Sequence, residues 1–112
     1  MKITTLESID FTKVSHNPKI IKQVMIENGQ LDGLVQFAKA VFPAGESATA
    51  HKHDDMAEVF LIESGEGCIR VGNRDYKLSP GTCITVEAGE LHEITNTTSD
   101  DLVVIYFGIR RW

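Results

Sequence analysis

The sequence predicts an all-β domain, a sandwich or barrel of eight or nine short strands. Three observations carry that expectation. Apolar and β-branched residues fall in short runs with strand-like alternation rather than in a 3.6-residue repeat. Clusters of Gly, Pro, Asn, Asp and Ser interrupt those runs at close, even intervals. No segment sustains an amphipathic helical pattern over the length a stable helix needs. The count and spacing suit a small jelly-roll barrel.

Taken in order, Ile20 to Glu27 is the first clear strand. Asn28 to Gly33 is a turn in which both glycines can take positive φ. Leu34 to Phe42 is a long strand closed by Pro43-Ala44-Gly45. Residues 49–53 form a short extended piece and Glu58 to Glu63 the next strand. Ser64 to Gly67 reads as a tight hairpin turn, with Cys68 to Val71 returning. After a turn at Gly72 to Asp75 come Tyr76 to Leu78, then Cys83 to Val86, then Leu91 to Thr95. Leu102 to Ile109 is the last strand. The first 18 residues either extend this sheet or add a strand to a partner subunit.

A chain of 112 residues, read as one domain over 1–112, can bury a core without staples. Its 42% apolar and 24% charged residues match an ordinary soluble globule. The net charge of −5 and the absence of a basic stripe argue against nucleic acid as a partner. No apolar run approaches the roughly 18 residues of a membrane helix. Residues 1–5 lack the apolar stretch of a secretory signal, so a cytoplasmic location is expected. Cys68 and Cys83 are then expected to be buried, reduced thiols.

The chemistry lies in two glycine-marked segments. The first runs Gly45, His51, His53, Glu58, Gly65, and the second Gly81, Gly89, His92, Asn96. Three of the four histidines and Glu58 thus fall at the marked positions within residues 45–96. The spacing resembles the cupin superfamily. Its first motif, G(X)5HXH(X)3–4E(X)6G, fits Gly45 to Gly65 at every defined position. Its second, G(X)5PXG(X)2H(X)3N, fits Gly81 to Asn96 except that Glu87 stands where the family has proline. The resemblance implies a jelly-roll β-barrel of cupin type.

It also implies one divalent ion, of iron, manganese, nickel, zinc or copper, held by His51, His53, Glu58 and His92. On a strand His51 and His53 share a face, and neutral imidazoles with a carboxylate suit such ions without selecting one. Glu58 is also the candidate catalytic base. Phase along the strands adds Gln36, Phe60, Ile94 and Phe107 as pocket candidates, since one of Tyr106 and Phe107 must face inward. Ile62 reads as barrel core and His16 as an exposed loop residue. The four glycines and Asn96 read as turn-formers and Glu87 as part of a solvated turn; the alternative is that Glu87 or Glu90 stands at the barrel mouth and disfavours anionic substrates.

The resemblance implies a metal-dependent enzyme on a small organic substrate, dioxygenase-like first, with isomerase, decarboxylase or lyase chemistry as alternatives. The competing reading is a non-catalytic module that binds a sugar or other small metabolite. A structural role is the third. A homodimer is expected under each, with Ile109 to Trp112 as a candidate contact.

Overall fold

The computed structural model describes residues 1–110. It contains ten strands: β1 (Thr12–Val14), β2 (Asn17–Ile26), β3 (Leu34–Phe42), β4 (Ser47–His51), β5 (Met56–Ser64), β6 (Gly67–Val71), β7 (Arg74–Leu78), β8 (Cys83–Val86), β9 (His92–Thr95) and β10 (Leu102–Arg110). They form two antiparallel sheets, of order β1-β2-β3-β10-β5-β8 and β4-β9-β6-β7. The architecture is the expected jelly roll, with one strand more than the upper expectation. The extra strand is β1. It pairs with β2 of its own chain, so the N-terminal segment extends the sheet. A single 3-10 turn at Leu6–Ser8 precedes it. Buried Gln23 fastens that turn, donating through Nε2 to the carbonyls of Leu6 and Ile9 at 2.7 and 3.0 Å.

The long strands form because their alternate residues have an apolar interior to fill. In β5, Glu58, Phe60 and Ile62 are buried while Leu61 and Glu63 are exposed. In β10, Leu102 and Val104 are buried on one face while Val103 and Ile105 are only half-covered on the other. Ile20, Ile62, Ile69, Leu78, Leu102 and Val104 are the largest fully buried apolar side chains. Burying each contributes about 1.5–3 kcal/mol of hydrophobic free energy. Ile62 is core, as its phase implied.

Glycine is required most plainly at Gly65. Its φ is +83°, and a Cβ there would collide with the backbone of Asp101 and Leu102. The two motif segments are stitched by backbone bonds. Gly45 N–H donates to Asn96 O at 3.1 Å, Asn96 N–H to Glu46 O at 3.0 Å, and Gly89 N–H to His53 O at 2.7 Å. Asn96 is fully buried, and its Nδ2 donates to Phe42 O and Asp100 O at 2.8 and 2.7 Å.

Both cysteines are free thiols. Cys68 is half-buried, but Cys83 is exposed, which corrects the expectation that both are buried. Cys83 sits on edge strand β8 with its side chain outward, because Ile84 and Val86 take the inward phase. Arg111 and Trp112, half of the expected terminal contact, lie outside the described residues. Among the described residues no helix is long and apolar enough to cross a membrane.

Candidate metal centre

His51 reaches the interior through an irregularity in β4. The β4–β9 ladder pairs Ser47 with Thr95 and Ala48 with Ile94, and then His51 with His92. Three steps on β4 therefore match two on β9, so one extra residue is accommodated as a bulge. Since Ala48 faces inward, regular alternation would have turned residue 50 inward and His51 out. The bulge reverses that phase. Glu93 Oε2 accepts the Ala50 N–H at 3.1 Å and so occupies a backbone donor within the bulge.

Glu58 comes from β5 and His92 from the start of β9, and both are buried. The ligand atoms of His51, Glu58 and His92 all lie within 4.8 Å of one another. His53 follows the end of β4 and stands farther out. Its ring centroid is 6.2 Å from that of His92, and its Nε2 is 3.3 Å from Glu58 Oε1. The compact group is thus His51, Glu58 and His92, with His53 close to the same carboxylate oxygen.

The second nitrogens of two imidazoles are fixed by main-chain carbonyls. His51 Nδ1 lies 2.8 Å from Thr49 O, and His92 Nδ1 lies 3.0 Å from Glu90 O. A carbonyl only accepts, so each Nδ1 carries the proton and each neutral ring offers its Nε2 lone pair. That is the outer-shell arrangement that orients metal-binding histidines. His92 Nε2 then meets Glu58 Oε1 at 3.2 Å. Two lone pairs at that separation call for a proton or a cation between them. The donor set therefore fits a divalent ion, which His51, Glu58 and His92 could hold, with His53 within reach of the same carboxylate.

The electrostatics agree. Burial disfavours the His92 imidazolium, but the hydrogen bonds to Glu58 and to Glu90 O outweigh it and raise the pKa above the ordinary 6.5. Burial lowers that of His51, and the Thr49 carbonyl only partly offsets it. Tyr106 is pushed up to about 12, chiefly by burial and then by the Glu58 charge, so it is a neutral phenol.

The group lines a cavity of about 250 Å³. Gln36, Phe60 and Ile94 stand in its wall. Phe107 does not, which corrects its assignment as a pocket residue. It packs edge-on against Phe37 on the outward face, ring centroids 6.2 Å apart, and its neighbour Tyr106 lines the cavity instead. The outward side chains of β10 are as apolar as the inward ones, so hydrophobicity alone gives no phase. His16 is the other departure. Although exposed, it borders the cavity and stacks on His51 at 4.8 Å between centroids, 22° from parallel. Its local sequence reads as a turn, and nothing in it reports that the turn hangs over β4.

Glu87 and Glu90 are exposed and do not border this cavity. Glu90 Oε1 accepts the Glu87 N–H at 2.8 Å. A side-chain hydrogen bond thus holds the turn at the position where the family has a proline ring.

A two-sheet jelly roll whose interior gathers two histidines and a glutamate defines a small barrel with a cluster of side chains that could hold a metal ion. The cupin domain model matches residues 38–108, and the chain belongs to that family. It is 35% identical over 66 residues to an oxalate-binding protein of Thermotoga maritima, a match covering 59% of this chain and 54% of that protein. The chain spans about half the length of that relative. The fold is similar to the crystal structure of a predicted oxalate decarboxylase from Thermotoga maritima, with a TM-score of 0.91 and 23% identity over 98% of this chain and 100% of that one. It is also similar to KdgF from a Halomonas species, with a TM-score of 0.82 and 20% identity over 99% and 96% of the two chains. These structural likenesses concern the fold.

Proposed function

We propose that this protein is a metal-dependent cupin that acts on a small organic substrate. The observation that carries the reading is the convergence of His51, Glu58 and His92, with both Nδ1 atoms tied to carbonyls, on one wall of a cavity. Bound there, a divalent ion of iron, manganese, nickel, zinc or copper would supply Lewis-acid polarisation or a platform for oxygen chemistry. The chain's own part is to present two pre-oriented imidazoles, keep Glu58 shielded from water, and give the substrate an apolar wall at Phe60 and Ile94. Glu58, linked to both His53 and His92, is the residue we assign as proton acceptor. Oxygenase chemistry is the first candidate, with isomerase, decarboxylase and lyase chemistry behind it.

A second reading, capture of a small metabolite without turnover, is favoured by the likeness to an oxalate-binding protein. Oxygen uptake separates the two. Iron-loaded protein prepared without oxygen is challenged with small acids and sugars. Uptake that depends on an added compound supports the enzyme. Saturable binding with no uptake and no product selects the binding module.

A homodimer belongs to the same proposal. Strands β1, β8, β4 and β7 are sheet edges, and Val103, Ile105 and Phe107 face outward from β10. A second copy would cover both kinds of surface. Sedimentation at micromolar concentration tests this, and a clean monomer removes it.

A further inference from the structure

The cavity holds a group of polar side chains that the metal reading does not use. Lys22 on β2, Gln36 on β3 and Tyr106 on β10 all border it. Lys22 occupies the phase of Ile20, a fully buried core residue, so a cation stands where the strand's alternation calls for an apolar side chain. Lys22 Nζ donates to Gln36 Oε1 at 3.1 Å, and the Tyr106 hydroxyl lies 3.5 Å from the same oxygen. A lysine ammonium only donates, so it fixes the amide orientation: Oε1 is occupied and Nε2 is left as the outward donor. Among the described residues Gln36 Nε2 has no protein partner, and no buried side-chain nitrogen or oxygen lacks one, so this amide nitrogen faces open space.

Lys22 is half-buried and has no carboxylate within 4.0 Å among the described residues. Lys22 and Gln36 also border a shallow groove beside β1, which places them at the cavity's rim. Asp10 and Glu27 line that groove, yet neither pairs with the ammonium. A partly desolvated cation without a counter-charge favours an anionic ligand. Among the described residues Glu58 is the only carboxylate in the cavity wall, and His53 and His92 lie within 3.3 Å of it.

We propose that Lys22 and Gln36, braced by Tyr106, form the seat for a carboxylate of the cavity's ligand, and that the protein therefore selects small carboxylic acids. The inference rests on the cavity being the ligand site of the proposed function. One positive charge beside a planar amide matches a singly charged, planar carboxylate, whose oxygens only accept. A phosphate group carries close to two charges, and among the described residues no second lysine or arginine lines the cavity. The cavity of about 250 Å³ is larger than a two-carbon diacid fills. The acid that fits is longer, with its carboxylate on Lys22 and its reacting end toward His51, Glu58 and His92.

Calorimetric titration with glutarate, its uncharged diamide and inorganic phosphate tests the assignment. The wild-type protein is expected to bind glutarate, and the diamide at least about tenfold more weakly. Lys22→Met is expected to weaken glutarate by about tenfold, with metal content and melting temperature unchanged, and Lys22→Arg to retain most of the affinity. Gln36→Glu, which sets a like charge in the seat, is expected to weaken it as well. Unaltered glutarate affinity in Lys22→Met, equal binding of the diamide, preference for phosphate, or no glutarate binding at millimolar concentration would each overturn the proposal. Failure of the metal reading looks different: the wild type holds no metal, and His92→Ala binds glutarate as the wild type does.

Discussion

His51 and His92 are register partners across the β4–β9 ladder, and their rings approach to 4.4 Å between centroids. Two residues 41 positions apart in sequence are thus fixed side by side by one strand pairing. That one pairing fixes the spacing of two of the three clustered side chains.

The pH dependence of the metal-free protein should have two opposed parts. His92 holds its proton more tightly when folded, because Glu58 and Glu90 O outweigh its burial. It therefore adds stability that is complete below its unfolded value of 6.5 and is lost as pH rises through the folded pKa. His51 is lowered by burial, so its penalty is complete below its folded pKa and is lifted as pH rises to 6.5. Urea midpoints in chelator should show the advantage of wild type over His92→Ala shrinking above pH 6.5. A constant difference across that range would contradict the His92 assignment.

Asn96→Ala should cost stability without touching the cavity. The substitution strips partners from the carbonyls of Phe42 and Asp100 and from the Thr98 N–H. Leaving such groups unsatisfied costs about 1–3 kcal/mol each where burial is complete, so a total near 3 kcal/mol is expected from chemical denaturation. A loss below about 0.5 kcal/mol would place those bonds outside the account.

Gly65→Ala and Gly81→Ala should separate two costs. Both positions have positive φ, but only Gly65 has backbone where a Cβ would go. Gly81→Ala should cost about 1 kcal/mol for the conformation alone, and Gly65→Ala clearly more, because Asp101 and Leu102 must move. Equal melting temperatures for the two variants would mean that the approach is not a real constraint.

His16→Ala should leave the fold intact, because the ring is exposed. Its effect should fall on metal affinity, since it removes the face against which His51 stacks. Aromatic pairs contribute about 0.5–1.5 kcal/mol, so competition with a chromogenic chelator should show a weakening of up to about tenfold. Unchanged affinity would make the stack incidental.

Much of this was legible in the sequence, and the exceptions have physical causes. Strands β3 and β8 run over the residues expected, Leu34–Phe42 and Cys83–Val86, because turn residues bound them on both sides. The motif spacings brought His51, Glu58 and His92 to one place. Strand alternation alone does not direct His51 inward, however: the β4 bulge does, and only the ladder reveals a bulge. β1 is not legible, because Thr12-Lys13-Val14 has little apolar signal and is held by pairing with β2. Sequence does not separate Tyr106 from Phe107, because both faces of β10 are apolar and phase is decided by the neighbours β3 and β5. Lys22 did carry a signal, a cation between Ile20 and Val24 at alternate positions, which strand phase alone could have raised.

The most direct test of the account is elemental analysis of protein purified without oxygen, beside a His51→Ala, His92→Ala double variant. The account predicts close to one divalent metal per chain in the wild type and none in the variant, with both folded by circular dichroism. Wild-type protein that takes up no metal even after loading, or a double variant that retains it, would contradict the central claim that these side chains form a metal centre.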